Sequence, residues 1–118
     1  MGERPTMEIS DTQKGPVIIL SLKGRLDANT SKLVEDFLLN KINNTQERLF
    51  IVDFQHVDYI SSAGLRVLLV AAKLLKSNDG KIVLASLNDH LKKIFEITGF
   101  HEIFPIFQNQ EEALNNIS

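Results

Sequence analysis

An α/β fold, in which about four helices pack on a mixed sheet of four to five strands, is what this sequence predicts. Short β-favouring apolar runs at 17–22, 49–54 and 81–86 alternate with longer stretches of helical periodicity. The runs at 49–54 and 81–86 show no regular polar alternation, which is the pattern of strands covered on both faces. At 118 residues the chain can bury one such core and is too short for two.

The elements follow in order. Residues 1–6 are polar and read as a flexible tail; 7–10 read as a first edge strand, and 11–16, with Asp11, Gly15 and Pro16, as a turn. The run 17–22 is rich in branched aliphatic residues and completes an antiparallel opening to the sheet. Residues 23–30 interrupt the apolar pattern and offer several side chains able to cap the next helix. That helix extends to about Asn43, with Leu33, Val34, Phe37, Leu38 and Ile42 on one face. A polar link at 43–46 leads to the strand at 49–54. The second helix runs from Ser61 or Ser62 to near Lys76, carrying Leu65, Leu68, Leu69, Ala72 and Leu75 at helical spacing. A turn at 77–80 precedes the strand at 81–86, which reads as central and parallel. Asn88 or Asp89 caps a third helix whose apolar face is Leu91, Ile94, Phe95 and Thr98, stopped by Gly99 in a left-handed conformation. A short strand at 103–107, limited by Pro105, and a last helix opened by the capping box Asn109 and Glu112 finish the chain.

Composition narrows the function. A formal net charge of −2 supplies no basic footprint for nucleic acid. With no cysteine, disulfides and cysteine chemistry are excluded. The first six residues contain no apolar signal region, and no apolar run approaches the ~18 residues of a membrane span. A cytoplasmic protein that binds neither membrane nor DNA directly is expected.

The informative stretch is the join Val57-Asp58-Tyr59-Ile60-Ser61-Ser62-Ala63-Gly64-Leu65-Arg66. A serine at a helix start is exposed beside unpaired amide groups at the positive end of the helix dipole, an environment suited to an added phosphate. The run 59–65 resembles the phosphorylation motif of the anti-sigma-factor antagonists, bacterial members of the STAS (sulfate transporter and anti-sigma antagonist) domain family. The resemblance implies a single STAS domain over 7–118 and makes Ser62 the phosphorylated residue. Gly24-Arg25-Leu26-Asp27 resembles the family's Gly-x-Leu-Asp segment, whose aspartate, here Asp27, lies near the phosphorylated serine and serves kinase recognition or phosphorylation itself. Ser61 stands where many members carry an acidic residue, and is itself a minor alternative acceptor. Asp27, Ser61, Ala63, Gly64 and Arg66 form the expected set for partner or kinase recognition. Arg66, four residues after Ser62, shares its side of the helix; a solvated surface charge is its ordinary reading, and pairing with a phosphate its sharper one.

Other chemistries fit less well. The hydrolase elbow Gly-x-Ser-x-Gly needs a glycine where Ile60 stands, and His56, His90 and His101 lie in no triad-like setting. Asp27, Asp53 and Asp58 read as caps and turn residues before a metal site. Gly64 is equally consistent with close backbone packing and with leaving room for a kinase's nucleotide. The second stripe of the Ser62 helix, Val67, Val70, Ala71 and Leu74, is expected to be mostly buried, with the first turn exposed.

The resemblance implies an anti-sigma-factor antagonist acting by partner switching, a monomer or weak dimer that is neither an enzyme nor a cofactor carrier. Unphosphorylated, it would bind an anti-sigma factor that is also a serine kinase and so release a sigma factor; a serine phosphatase acting on the phosphorylated form would restore the unphosphorylated one. The alternative is a STAS subunit of a lipid-transport ATPase complex or of a larger signalling assembly, docking without phosphate turnover.

Overall fold

The computed structural model describes residues 7–118, and the tail expected at 1–6 lies outside them. Ten elements follow one another: β1 (Met7–Lys14), β2 (Val17–Leu26), α1 (Ser31–Asn44), β3 (Leu49–Ile60), α2 (Ser62–Ser77), β4 (Lys81–Ala85), α3 (Asp89–Thr98), a 3-10 turn (Phe100–Glu102), β5 (Ile106–Phe107) and α4 (Gln110–Asn116). The strands form one sheet in the order β1-β2-β3-β4-β5. β1 is antiparallel to β2 and the remaining neighbours are parallel, so the sheet is mixed and the expected α/β class holds.

Both faces of the central strands are covered, which is why their sequences do not alternate. On one face Ile18, Leu20, Leu22, Phe50, Val52 and Phe54 meet Val34 and Leu38 of α1, Leu68 and Leu75 of α2, and Leu91 and Phe95 of α3. On the other, Val17, Ile19, Ile51, Val83 and Ala85 pack with Ala113 of α4 and with Ile117. Helices α1 to α3 thus bury the larger core and α4 the smaller. Asp53, buried in mid-strand, accepts hydrogen bonds from Gln110 Nε2 (2.6 Å) and the Gln55 amide (2.9 Å), tying α4 to β3.

Several boundaries differ from expectation. β1 continues through Lys14, which pairs with Val17, so the turn shrinks to Gly15, at φ 59°, and Pro16. Its residues 10–14 are exposed, and an edge strand tolerates the polar side chains that read as a turn. β2 and β3 run on to Leu26 and Ile60, well past their apolar runs, pairing through register shifts at Ser21/Lys23 and Gly24/Arg25. Such bulges break the side-chain period and hide a strand from pattern reading. β4 stops at Ala85 because Ser86 adopts a positive φ of 67°. The strand expected at 103–107 is only Ile106–Phe107. Leu33 and Thr98 are exposed rather than on the apolar faces of their helices, while Phe37 and Ile94 are half-buried.

Phe95, Phe100 and Phe104 close the end of the larger core, with Phe95 edge-on to the other two at 6.4 and 6.3 Å between centroids. Phe104 is fully buried although it lies in no strand or helix, so the irregular segment before β5 is anchored by this ring. Phe104→Ala is expected to cost about 3–5 kcal/mol, read as a lowered urea midpoint with unchanged slope.

Candidate functional site

The first turn of α2 is set by two adjacent serines with different tasks. Ser61, in extended conformation (φ −97°, ψ 172°), is the N-cap, and its Oγ accepts the Gly64 amide at 3.3 Å. Ser62 is left as the first helical residue and is exposed. The sequence allowed either serine to cap; the local geometry gives that task to Ser61, so the Ser62 hydroxyl is not needed to close the helix.

What holds this turn in place comes from β2. The Ser61 amide donates to the Leu26 carbonyl at 2.9 Å, and Leu26 is the register partner of Ile60. Gly64 lies so close behind that a Cβ there would stand 2.7 Å from Leu26 Cγ, 2.9 Å from its carbonyl oxygen and 3.0 Å from Ile60 Cγ1. A methyl group does not fit without backbone movement, so close packing is a sufficient reason for this glycine. Leu65 is buried, and the second stripe divides: Val67 and Ala71 are buried, whereas Val70 and Leu74 are half-buried.

Asp27 follows Leu26 directly, so the two sequence motifs meet at one residue of β2. Its Oδ1 accepts the amides of Asn29 (2.9 Å) and Thr30 (3.2 Å), while its carbonyl accepts the Ser31 amide at 2.9 Å. The buried Thr30 hydroxyl donates to the Arg25 carbonyl at 2.6 Å and accepts the Asp27 amide at 3.0 Å. Together these bonds shape the turn that delivers α1. Partial desolvation pushes the Asp27 carboxyl upward, but the Asn29 and Thr30 amides, the Thr30 hydroxyl and the Arg25 guanidinium outweigh it and hold the group below the ordinary aspartate value. Arg25 Nε stands 3.7 Å from Asp27 Oδ2, and the same guanidinium lies 4.1 Å over the Tyr59 ring.

A groove of about 570 Å³ opens beside Ser62, between α2 and α1. Ser62, Ala63, Arg66, Val67 and Val70 line one wall, and Ser31, Lys32 and Glu35 the other. Of the residues singled out in the sequence, Ser62, Ala63 and Arg66 border this groove, whereas Ser61, Gly64 and Asp27 support it from behind without lining it. Asp53 is engaged with α4, and exposed Asp58 borders a separate cleft with Lys23, Arg25 and His56, so the three aspartates do not converge. Ser31, Lys32 and Glu35 were not visible as site residues. Their signal is topological: α1 follows β2 as α2 follows β3, and helices leaving the carboxyl ends of adjacent parallel strands bring their first turns together.

Comparison with known proteins agrees with this architecture. The STAS domain model matches residues 8–113. A Bordetella bronchiseptica protein, BtrV, described as a candidate anti-sigma factor antagonist, is 37% identical over 97 residues, covering 82% of this chain and 83% of that protein. The anti-sigma-B factor antagonist of Listeria monocytogenes is 33% identical over 99 residues, covering 83% and 84%. In fold alone, the crystal structure of a candidate anti-sigma factor antagonist from Thermotoga maritima superposes with a TM-score of 0.87 at 20% identity, covering 92% of this chain and 93% of that one. The anti-sigma factor antagonist SpoIIAA in its unphosphorylated form superposes at 0.72, with 17% identity, covering 95% and 97%.

Two outcomes test the local account. Gly64→Ala is expected to lose about 1–3 kcal/mol in chemical denaturation, because the Leu26 backbone cannot yield as a flexible side chain would. For Asp27, whose folded carboxyl ionises more readily than in the unfolded chain, the stabilisation is fully present above the ordinary value of about 3.9 and is lost as pH falls through the lowered folded value. Paired urea titrations should therefore show Asp27→Asn less stable than wild type near neutrality, with the gap closing in strong acid.

Proposed function

The chain belongs to the STAS domain family, and on that premise we propose that it is an anti-sigma-factor antagonist working by partner switching, with Ser62 as its phosphorylated residue. The observation that carries this reading is the exposed Ser62 on the first turn of α2, freed from capping by Ser61 and bordering the α1–α2 groove. The relatives described as antagonists of anti-sigma factors support the partner class. In this reading the unphosphorylated groove and first turn of α2 dock on an anti-sigma factor that is also a serine kinase, and a sigma factor is released. Asp27, Ser61, Ala63, Gly64 and Arg66 shape or contact the docking surface. Ser62 Oγ then forms a bond to the γ-phosphorus of the kinase's ATP, the β–γ bridging bond breaks to leave ADP, and the hydroxyl proton is lost. A serine phosphatase reverses the modification. The chain itself supplies no catalysis; ATP and magnesium belong to the kinase, and the setting is the cytoplasm. Among the described residues no helix is long and apolar enough to cross a membrane.

Phosphorylation places about −1.5 to −2 charge and a bulky group in the middle of the docking surface. Burying that charge against a partner without a matching cation costs several kcal/mol, and each ~1.4 kcal/mol is tenfold in affinity. One phosphate can therefore abolish binding while the fold stays as it is.

Intact-mass and site mapping of the native protein should find a single phosphate on Ser62. As baits, Ser62→Ala is expected to retain a partner with a kinase ATP site, and Ser62→Asp to bind it at least about tenfold more weakly. A chain never phosphorylated, with both variants holding one transporter ATPase equally, would instead mark a stably docked subunit.

A further inference from the structure

Two cations border the groove beside Ser62, one from each helix: Arg66 on α2 and Lys32 on α1. Their placement runs against ordinary helix electrostatics, because cations are disfavoured near the positive end of a helix and acids favoured. The first turns of α3 and α4 obey that rule with Asp89 and with Glu111 and Glu112, whereas neither α1 nor α2 has an acid in its first turn. Lys32 instead sits within the first turn of α1, and Arg66 directly follows the first turn of α2. The groove thus gathers two helix N-termini and two positive side chains around a hydroxyl.

Lys32 is engaged only loosely. It contacts Asp36 at 2.9 Å, but the two side chains are 76% and 60% exposed. Exposed pairs of this kind contribute little, and a cation placed N-terminal to its acid at i,i+4 is in the less favourable order. Glu35, on the same wall, is the anion that opposes added negative charge in the groove. Arg66 is one helical turn beyond Ser62 on the same side.

We propose that a phosphate on Ser62 is held across the α1–α2 groove by Arg66 of its own helix and Lys32 of the neighbouring one, Lys32 exchanging Asp36 for the phosphate. This rests on Ser62 being the acceptor, and it adds the regulation of that site: the modified side chain fills the groove a partner would enter and gains two charge-assisted contacts there. The phosphorylated form is thereby a closed state with ligands of its own.

The test uses full-length chain with phosphoserine incorporated at position 62 during synthesis and follows the phosphate's second ionisation by phosphorus NMR. An unconstrained phosphoserine has its second ionisation at about 6. In the wild-type background the value is expected below that, and Lys32→Gln and Arg66→Gln are each expected to raise it by about half a unit, with Lys32→Arg restoring the wild-type value. A titration unmoved by Lys32→Gln, or Lys32→Arg behaving like Lys32→Gln, would overturn the clamp. Because the phosphate is built in, this result is independent of any kinase. Failure to find phosphate on native Ser62 would remove the partner-switching reading and leave the titration as it stands.

Discussion

The contact on which the rest depends is the approach of Gly64 to Leu26. Here the start of α2 lies against the end of β2 with no room for a Cβ, and the Ser61 amide closes onto the Leu26 carbonyl. That single junction fixes where α2 begins and which serine caps it. It also leaves the next serine, Ser62, exposed at the border of the groove. Since Leu26 holds the start of α2 and Asp27, which follows it, shapes the turn into α1, two adjacent residues position the two walls of the groove. The two short sequence motifs are therefore halves of one structural device, joined through Leu26.

The switch proposed for this junction needs a firm platform, and the sheet supplies one. The parallel ladder of β2 and β3 extends to Leu26 and Ile60, beyond the ends of β4 and β5, and carries the first turns of α1 and α2 at its carboxyl end. Ser62 stands at the rim, with the packed residues Leu65 and Leu68 below it. In the proposed switch, charge added at the rim would alter what can dock there while the core beneath keeps its packing. The second core, under α4, lies on the opposite face of the sheet.

Much of the fold was legible because burial on both faces writes itself as unbroken apolar runs, and three helices announce themselves by periodicity and caps. Asn88, Gly99 and Asn109 act as their side chains and φ angles suggest. The ends of β2 and β3 were not legible, since the register shifts around Lys23 and Gly24 scramble the alternation. β1 is longer than its apolar pattern indicates because an exposed edge strand and a turn draw on the same polar residues. In the candidate site, Ser62 and its flanking residues could be read from local sequence, whereas Lys32 and Glu35 enter only through the packing of α1 on α2. Asp27 shows a further limit: resemblance gave it a recognition role, and the structure shows a turn-forming role that pattern alone also allowed.

The most direct measurement is a calorimetric titration of the purified anti-sigma partner with the chain in its serine and phosphoserine-62 forms, alongside backbone amide NMR spectra of both. The account predicts tight binding by the first, at least about tenfold weaker binding by the second, and amide changes confined to the groove and the junction around Leu26. Equal affinities for the two forms, or changes spreading through α3 and α4, would contradict it.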